Sequence, residues 1–199
     1  LYPLFETPKG FVAQKYNDLV FPFKRYQIQK VWRWERQQRG RFKEFIQSDI
    51  DIAGLNLPLE YDTEVIFTLY KTLSEIFSFL NICKEVEIHL NNKIFIEWLC
   101  SCYGILWNNK IKLYALLDWF YKTTTENFLN SLKELVWQSF LEINSLLNTN
   151  IEDLDENNEF MSQWVKELKK VYFALKDKWV KVMFDPYITR WLDYYTWTV

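Results

Sequence analysis

The chain predicts an α+β fold on three observations. Period-two alternation is confined to short stretches, apolar residues at three- and four-residue spacing fill most of the remainder, and the two patterns come in runs without regular alternation. The expected architecture is an antiparallel sheet flanked by helices, with a helical insertion. Residues 1-104 are expected to form a core that includes a basic hairpin, 105-176 the insertion, and 177-199 a return to the core.

Taken in order, "YQIQKVWR" at 26 to 33 and "FIQSDIDI" at 45 to 52 alternate apolar with polar groups and predict two strands. Between them "WERQQRGRFKE" places Gly40 among polar residues, so the strands are joined by a long basic hairpin loop. From Leu59 to Leu80 the residues Val65, Ile66, Leu69, Leu73, Ile76, Phe77 and Leu80 predict an amphipathic helix packed on the sheet. "EVEIHLN" at 85 to 91 predicts a strand and residues 92 to 104 a helix. The chain is then helix-patterned from about 108 to 176, with an acidic stretch at 151 to 159 suited to a helix start. "VKVMFDPYITRWLDYYTWTV" returns to strand character, broken by a turn at Asp185-Pro186.

Composition narrows the function. A length of 199 residues suffices for one sizeable core, and a formal charge of -2 excludes a globally basic nucleic-acid coat, so any polyanion site must be local. Cys83, Cys100, Cys102 and the single His89 do not make a zinc set, and reduced thiols are expected. His89 reads as a core or edge histidine, and Cys100 and Cys102 as helix packing. No apolar run reaches the ~18 residues of a membrane span. A cytoplasmic protein without a membrane segment is expected. The chain opens on Leu1 and closes on Val199 within a strand-like run, which suggests part of a longer protein.

The local site is the hairpin. Lys24, Arg25, Lys30, Arg33, Arg36, Arg39, Arg41 and Lys43 crowd one window, opposed there only by Glu35. Arginine suits phosphate because its planar fork gives two parallel charge-assisted hydrogen bonds. Phe45, Gln47, Asp49 and Asp51 stand two apart, so all four side chains share one face of the second strand. Many charged hairpins are no more than solvated turns. This one also carries a file of amide and carboxylates, which must be paired if that face is covered.

"FPFKRYQIQKVWRWERQQRGRFKEFIQSDIDIAG" resembles the second signature motif of the class II histidyl-tRNA synthetases, in which Arg-x-Glu-Arg, a basic loop and Gly-Arg-aromatic-Arg/Lys-x-Phe-x-Gln precede an acidic strand. "RWLDYYTWTV" is similar to the family's histidine-specific Arg-Gly-Leu-Asp-Tyr-Tyr-Thr-Gly-Thr-Val element. The resemblance covers most of the chain, is weakest from about 105 to 150, and implies a class II synthetase-like fold. It implies that Arg33 contacts the α-phosphate of ATP and the substrate carboxylate, Glu35 the adenine amino group, and Arg41 the triphosphate end, while Phe45 stacks on adenine. Gln47 and Asp51 would hold the amino group of histidine, Arg190 a second phosphate contact, and Tyr194 and Tyr195 the imidazole pocket. The implied activity is a histidine-tRNA ligase of protein biosynthesis, with ATP and Mg2+ as cofactors, histidine and tRNA(His) as partners, and a homodimer in the full-length parent. No protein-bound metal site is expected.

Departures from the motif point to an alternative. Pro3 and Phe5 fall where the family carries an Asp or Glu followed by Thr, and the first and third signature motifs are not in the sequence. The fragment alone is therefore not expected to aminoacylate efficiently. The alternative is a noncatalytic synthetase-like regulatory or sensor domain that binds histidine or tRNA. Asp193 reads as structural.

Ten tryptophans against four glycines is a further anomaly, since glycine ordinarily makes up about 7% of a protein. Trp34, Trp191 and Trp197 fall where the motif has glycine or a small residue, and Trp98, Trp164 and Trp179 stand where glycine would also read naturally. Some bacterial lineages read a stop codon as glycine. The tryptophan reassignment of the same codon would write Trp at such positions. The bland alternative is an aromatic-rich core.

Overall fold

The computed structural model describes residues 8–34, 36, 37, 39–154 and 162–189, and the chain falls into two compact units that part between Tyr61 and Asp62. Glu35, Arg190, Trp191, Asp193, Tyr194, Tyr195 and Trp197, together with Pro3 and Phe5, lie outside the described residues.

The first unit contains a short helix, α1 (Pro8–Lys15), a 3-10 turn at Tyr16–Asp18, and two strands, β1 (Phe23–Trp32) and β2 (Glu44–Ala53). As the alternation predicts, the strands pair antiparallel, with Phe23 opposite Ala53 at one end and Trp32 opposite Glu44 at the other. The ladder continues one step into the loop, where the Arg33 N–H donates to the Lys43 carbonyl at 2.8 Å. Gly40 turns the loop at φ +77°, a backbone region in which a Cβ is costly.

Helix α2 (Glu60–Phe79) begins at the boundary between the units. It spans the expected residues, but Thr63 alone is buried in it, and its apolar stripe leaves Leu69, Ile76 and Phe79 exposed. The second unit continues with β3 (Ile88–Leu90), α3 (Lys93–Cys102), α4 (Trp107–Trp119), α5 (Thr125–Leu135), α6 (Phe140–Leu147), α7 (Ser162–Lys176) and β4 (Val182–Phe184), with 3-10 turns between α4 and α7. Among the described residues, side-chain caps start two of these helices. The Asn92 carboxamide accepts from the Ile94 N–H at 2.9 Å and the Thr124 hydroxyl from the Asn127 N–H at 3.3 Å.

The core of this unit is built at helical spacing. Leu113 and Leu117, Phe128 and Leu132, Ile143 and Leu147, and Leu168, Val171 and Leu175 are all buried. Trp164 is buried too, with its ring against those of Phe95 and Trp98. Cys100 is buried within α3 and Cys102 exposed at its end, as a packing role predicts for the first. Burial pushes the Cys100 thiol up to about 11, which leaves it unreactive.

Two strand expectations change in detail. Of the 85 to 91 segment only Ile88–Leu90 is strand, matching the three residues of β4 with which it pairs, while Glu85 and Glu87 lie 3.9 and 3.2 Å from Lys181. It pairs with β4 in parallel, Ile88 opposite Val182, so the second sheet is not antiparallel. No helix among the described residues is long and apolar enough to cross a membrane.

Candidate functional site

Register decides what the hairpin presents. Arg25 stands opposite Asp51, Gln27 opposite Asp49, Gln29 opposite Gln47, and Val31 opposite Phe45, so eight side chains share one face. That face is the half-buried one, whereas Tyr26, Ile28 and Ile46 on the other face are exposed. Ordinary amphipathic strands turn the other way, apolar side inward. A polar face that is partly covered must supply its own partners.

It does so in a file. The Arg25 Nε donates to Asp51 Oδ2 at 2.8 Å, with the arginine well shielded from solvent. Gln47 Nε2 donates to Asp49 Oδ1 at 2.7 Å, and Gln47 Oε1 accepts a long bond of 3.5 Å from the Arg33 guanidinium. Arg33 also lies over the Phe45 ring, with its Cζ 4.9 Å from the centroid. Guanidinium, ring, amide and carboxylate are therefore contiguous along one strand face, with the Arg25–Asp51 pair two residues further on.

On the outer face and rim the contacts are of another kind. Lys30 bridges to Glu44 at 2.8 Å, and Trp32 Nε1 donates to the other Glu44 oxygen at 2.8 Å. These hydrogen bonds hold the Glu44 carboxyl below its usual range, and the Glu44 bond raises the Lys30 amine. Lys43 lies 5.7 Å from the centre of the Trp34 ring, which is 97% exposed. Arg41 sits in the loop, exposed.

Of the residues expected to form the site, the structure thus brings together Arg33, Phe45 and Gln47, sets Asp51 against Arg25, and leaves Arg41 in the loop. Two participants were not assigned roles from the sequence, Arg25 and Asp49. Pairing outward from the loop would have found Arg25 opposite Asp51, and period two already put Asp49 beside Gln47. Among the described residues no group of three or more His, Cys, Asp and Glu side chains could hold a metal ion.

In the second unit the expected Asp185-Pro186 turn is present, and His89 proves to be half-exposed and bonded to Asp185, Nδ1 to Oδ2 at 2.7 Å.

No protein-family model matches the chain. A histidine-tRNA ligase of Finegoldia magna is 34% identical over 95% of the chain and 46% of its own length. The crystal structure of a histidyl-tRNA synthetase from Nostoc sp. PCC 7120 superposes with a TM-score of 0.75 at 25% identity, covering 94% of the chain and 45% of that protein. A Bacillus halodurans C structure, described as an ATP phosphoribosyltransferase regulatory subunit/histidyl-tRNA synthetase, superposes at 0.67 with 19% identity over 94% of the chain and 49% of its own, a likeness of fold. The chain spans under half the length of the curated relatives it matches.

Proposed function

The chain belongs to the histidyl-tRNA synthetase family, and from that premise we propose that in its full-length protein it supplies part of the catalytic domain of a histidine-tRNA ligase. The observation that carries the reading is the contiguous placement of Arg33, Phe45, Gln47 and Asp49 on the covered face of the hairpin. An anion, a flat ring and an ammonium could be met there within a few residues.

On this reading a carboxylate oxygen of histidine attacks the α-phosphorus of ATP. A new O–P bond forms as the bond to the departing pyrophosphate breaks. A terminal ribose hydroxyl of tRNA(His) then attacks the acyl carbon, forming an ester and losing its proton as the acyl–phosphate bond breaks and AMP leaves. Arg33 holds the α-phosphate and the amino acid carboxylate together, Glu35 reads the adenine amino group, and Arg41 takes the triphosphate end. Phe45 stacks on adenine, Gln47 and Asp51 hold the ammonium, Arg190 meets the phosphate from the other segment, and Tyr194 and Tyr195 line the imidazole pocket. The protein acts chiefly by positioning reactants and by placing fixed positive charge where negative charge develops.

The long 3.5 Å bond from Arg33 to Gln47 supports this division of labour, because a guanidinium held so weakly by its own chain is available to a ligand. Asp51 is held more firmly, by Arg25, and would accept the ammonium through its remaining lone pairs. Magnesium would enter on the nucleotide's own phosphates, where it neutralises charge, since such ions often keep few protein ligands. The reading further divides the chain into core at 1-104, insertion at 105-176 and core again from 177, in a cytoplasmic homodimer.

Isothermal titration of ATP and histidine into the full-length protein, alongside histidine-dependent ATP–pyrophosphate exchange, tests the reading. Binding of both ligands with exchange is expected. Histidine binding without exchange would favour the noncatalytic regulatory or sensor reading, which the departures at Pro3 and Phe5 motivate.

A further inference from the structure

Residues 185 to 189 are fastened from every side. The Asp185 side chain is 3% exposed, and its Oδ2 accepts from His89 Nδ1 at 2.7 Å and from the Tyr121 hydroxyl at 2.5 Å. Its Oδ1 accepts from the Tyr187 N–H at 3.0 Å, and its own N–H donates to the Leu90 carbonyl at 2.8 Å. Asn91 Nδ2 donates to the carbonyls of Ile188 at 2.8 Å and Pro186 at 3.3 Å. The Tyr187 ring lies on that of Phe120, 3.7 Å between centroids and 7° from parallel, with Phe128 edge-on at 5.6 Å. Thr189 is buried, and its hydroxyl donates to the Tyr114 carbonyl at 3.2 Å.

These contacts tie residues 185 to 189 to the end of β3, to α4 and to the turn that follows it. The next residue in the chain is Arg190, to which the ligase reading gives a phosphate contact. We propose that this anchor positions Arg190 for the reaction, with Asp185 as the positioning residue and His89 and Tyr121 as its supports. The proposal rests on the ligase reading. His89 and Tyr121 hold the Asp185 carboxyl from two different elements, β3 and the turn after α4. Such supporting contacts matter because a small misplacement of a charged group is costly to the rate.

The test is steady-state ATP–pyrophosphate exchange by the full-length protein, its Asp185→Asn, Tyr121→Phe and Arg190→Ala variants, and the two double variants with Arg190→Ala. Asp185→Asn should lower kcat by about tenfold or more, the range typical of lost supporting contacts, with little change in KM. Tyr121→Phe should do the same more mildly, and it serves if Asp185→Asn does not fold. Neither should slow the Arg190→Ala protein further. Equal slowing in both backgrounds, or no slowing, would overturn the anchor's role while leaving the ligase reading intact. Absence of exchange in the unaltered protein would instead overturn the ligase reading, and the anchor's role with it.

A second inference stands on the helix ends. At the close of α2 the N–H of Ile82 reaches the Phe77 carbonyl at 2.8 Å and that of Asn81 reaches Ser78 at 3.1 Å. After α3, Ile105 bonds to Cys100 at 2.8 Å and Gly104 to Ser101 at 3.4 Å, and after α7, Val180 bonds to Leu175 at 3.2 Å and Trp179 to Lys176 at 3.0 Å. All three are the same left-handed cap, with φ 51° at Asn81, 61° at Gly104 and 61° at Trp179. Glycine and asparagine suit that conformation, whereas a bulky side chain does not. The Trp179 indole is 92% exposed, so packing does not account for it. Trp98 and Trp164 differ, lying inside helices with their rings in contact.

We infer that the protein in its natural source carries glycine at 179. The mass of the peptide spanning that residue, from protein purified from that source, decides it. A mass lighter by the indole side chain is expected, and a tryptophan mass would overturn the inference.

Discussion

The hairpin face and the 185–189 anchor hold their charged groups in opposite ways. In the hairpin the charged groups on the half-buried face bond, among the described residues, to neighbouring side chains of the same strand pair, and one contact, Arg33 to Gln47, is stretched to 3.5 Å. In the anchor the Asp185 carboxylate is fully enclosed and both of its oxygens are engaged at short range. A saturated site is suited to holding its own chain, and an undersatisfied one to a ligand. The same side-chain types thus serve different ends according to how many partners the fold supplies.

Four changes would break or sharpen that contrast. Arg33→Ala should reduce exchange by the full-length protein about 100-fold, in the range of a lost transition-state donor, while its unfolding midpoint stays put. A loss of stability with unchanged kcat would make the hairpin structural. Asp185→Ala, by contrast, should cost about 3 kcal/mol in urea unfolding, because His89, Tyr121 and the Tyr187 N–H lose a buried partner. Little loss would mean that the anchor is not saturated as described.

Between these extremes lies the Arg25–Asp51 pair. A double-mutant cycle with Arg25→Met and Asp51→Asn should return a coupling of about 1 kcal/mol, small because Asp51 remains partly solvated. The smallest effect belongs to the exposed Lys30–Glu44–Trp32 contact. Since folding lowers the Glu44 carboxyl below its ordinary value, its contribution is present above the unfolded pKa and fades as pH falls through the folded one. Glu44→Gln should slightly flatten the acid side of a midpoint-against-pH curve, and a steeper acid limb would contradict the assignment.

Much of this contrast could be read from the sequence, and its unread part has a physical cause. The two hairpin strands and the shared face of Phe45, Gln47, Asp49 and Asp51 followed from period two, because neighbouring side chains on a strand must point apart. The pairing of Arg25 with Asp51 needed the register, which the loop fixes. Helices over the later half followed from their apolar spacing, but the parallel pairing of Ile88–Leu90 with Val182–Phe184 joins segments more than ninety residues apart, and no local pattern encodes it. Likewise His89 carried no mark of its partner, since Asp185 lies 96 residues away. Trp179 looked like several other tryptophans until its backbone conformation set it apart.

The central claim is that Arg33 and its neighbours on the hairpin face receive ATP and histidine. A crystal structure of the full-length protein with ATP and histidinol tests it most directly. The account predicts Arg33 within hydrogen-bonding distance of the α-phosphate, adenine on the Phe45 ring, and Gln47 and Asp51 at the ammonium, with Arg190 reaching the same phosphate. A nucleotide bound away from this face, or the two guanidinium groups on opposite sides of it, would contradict the account.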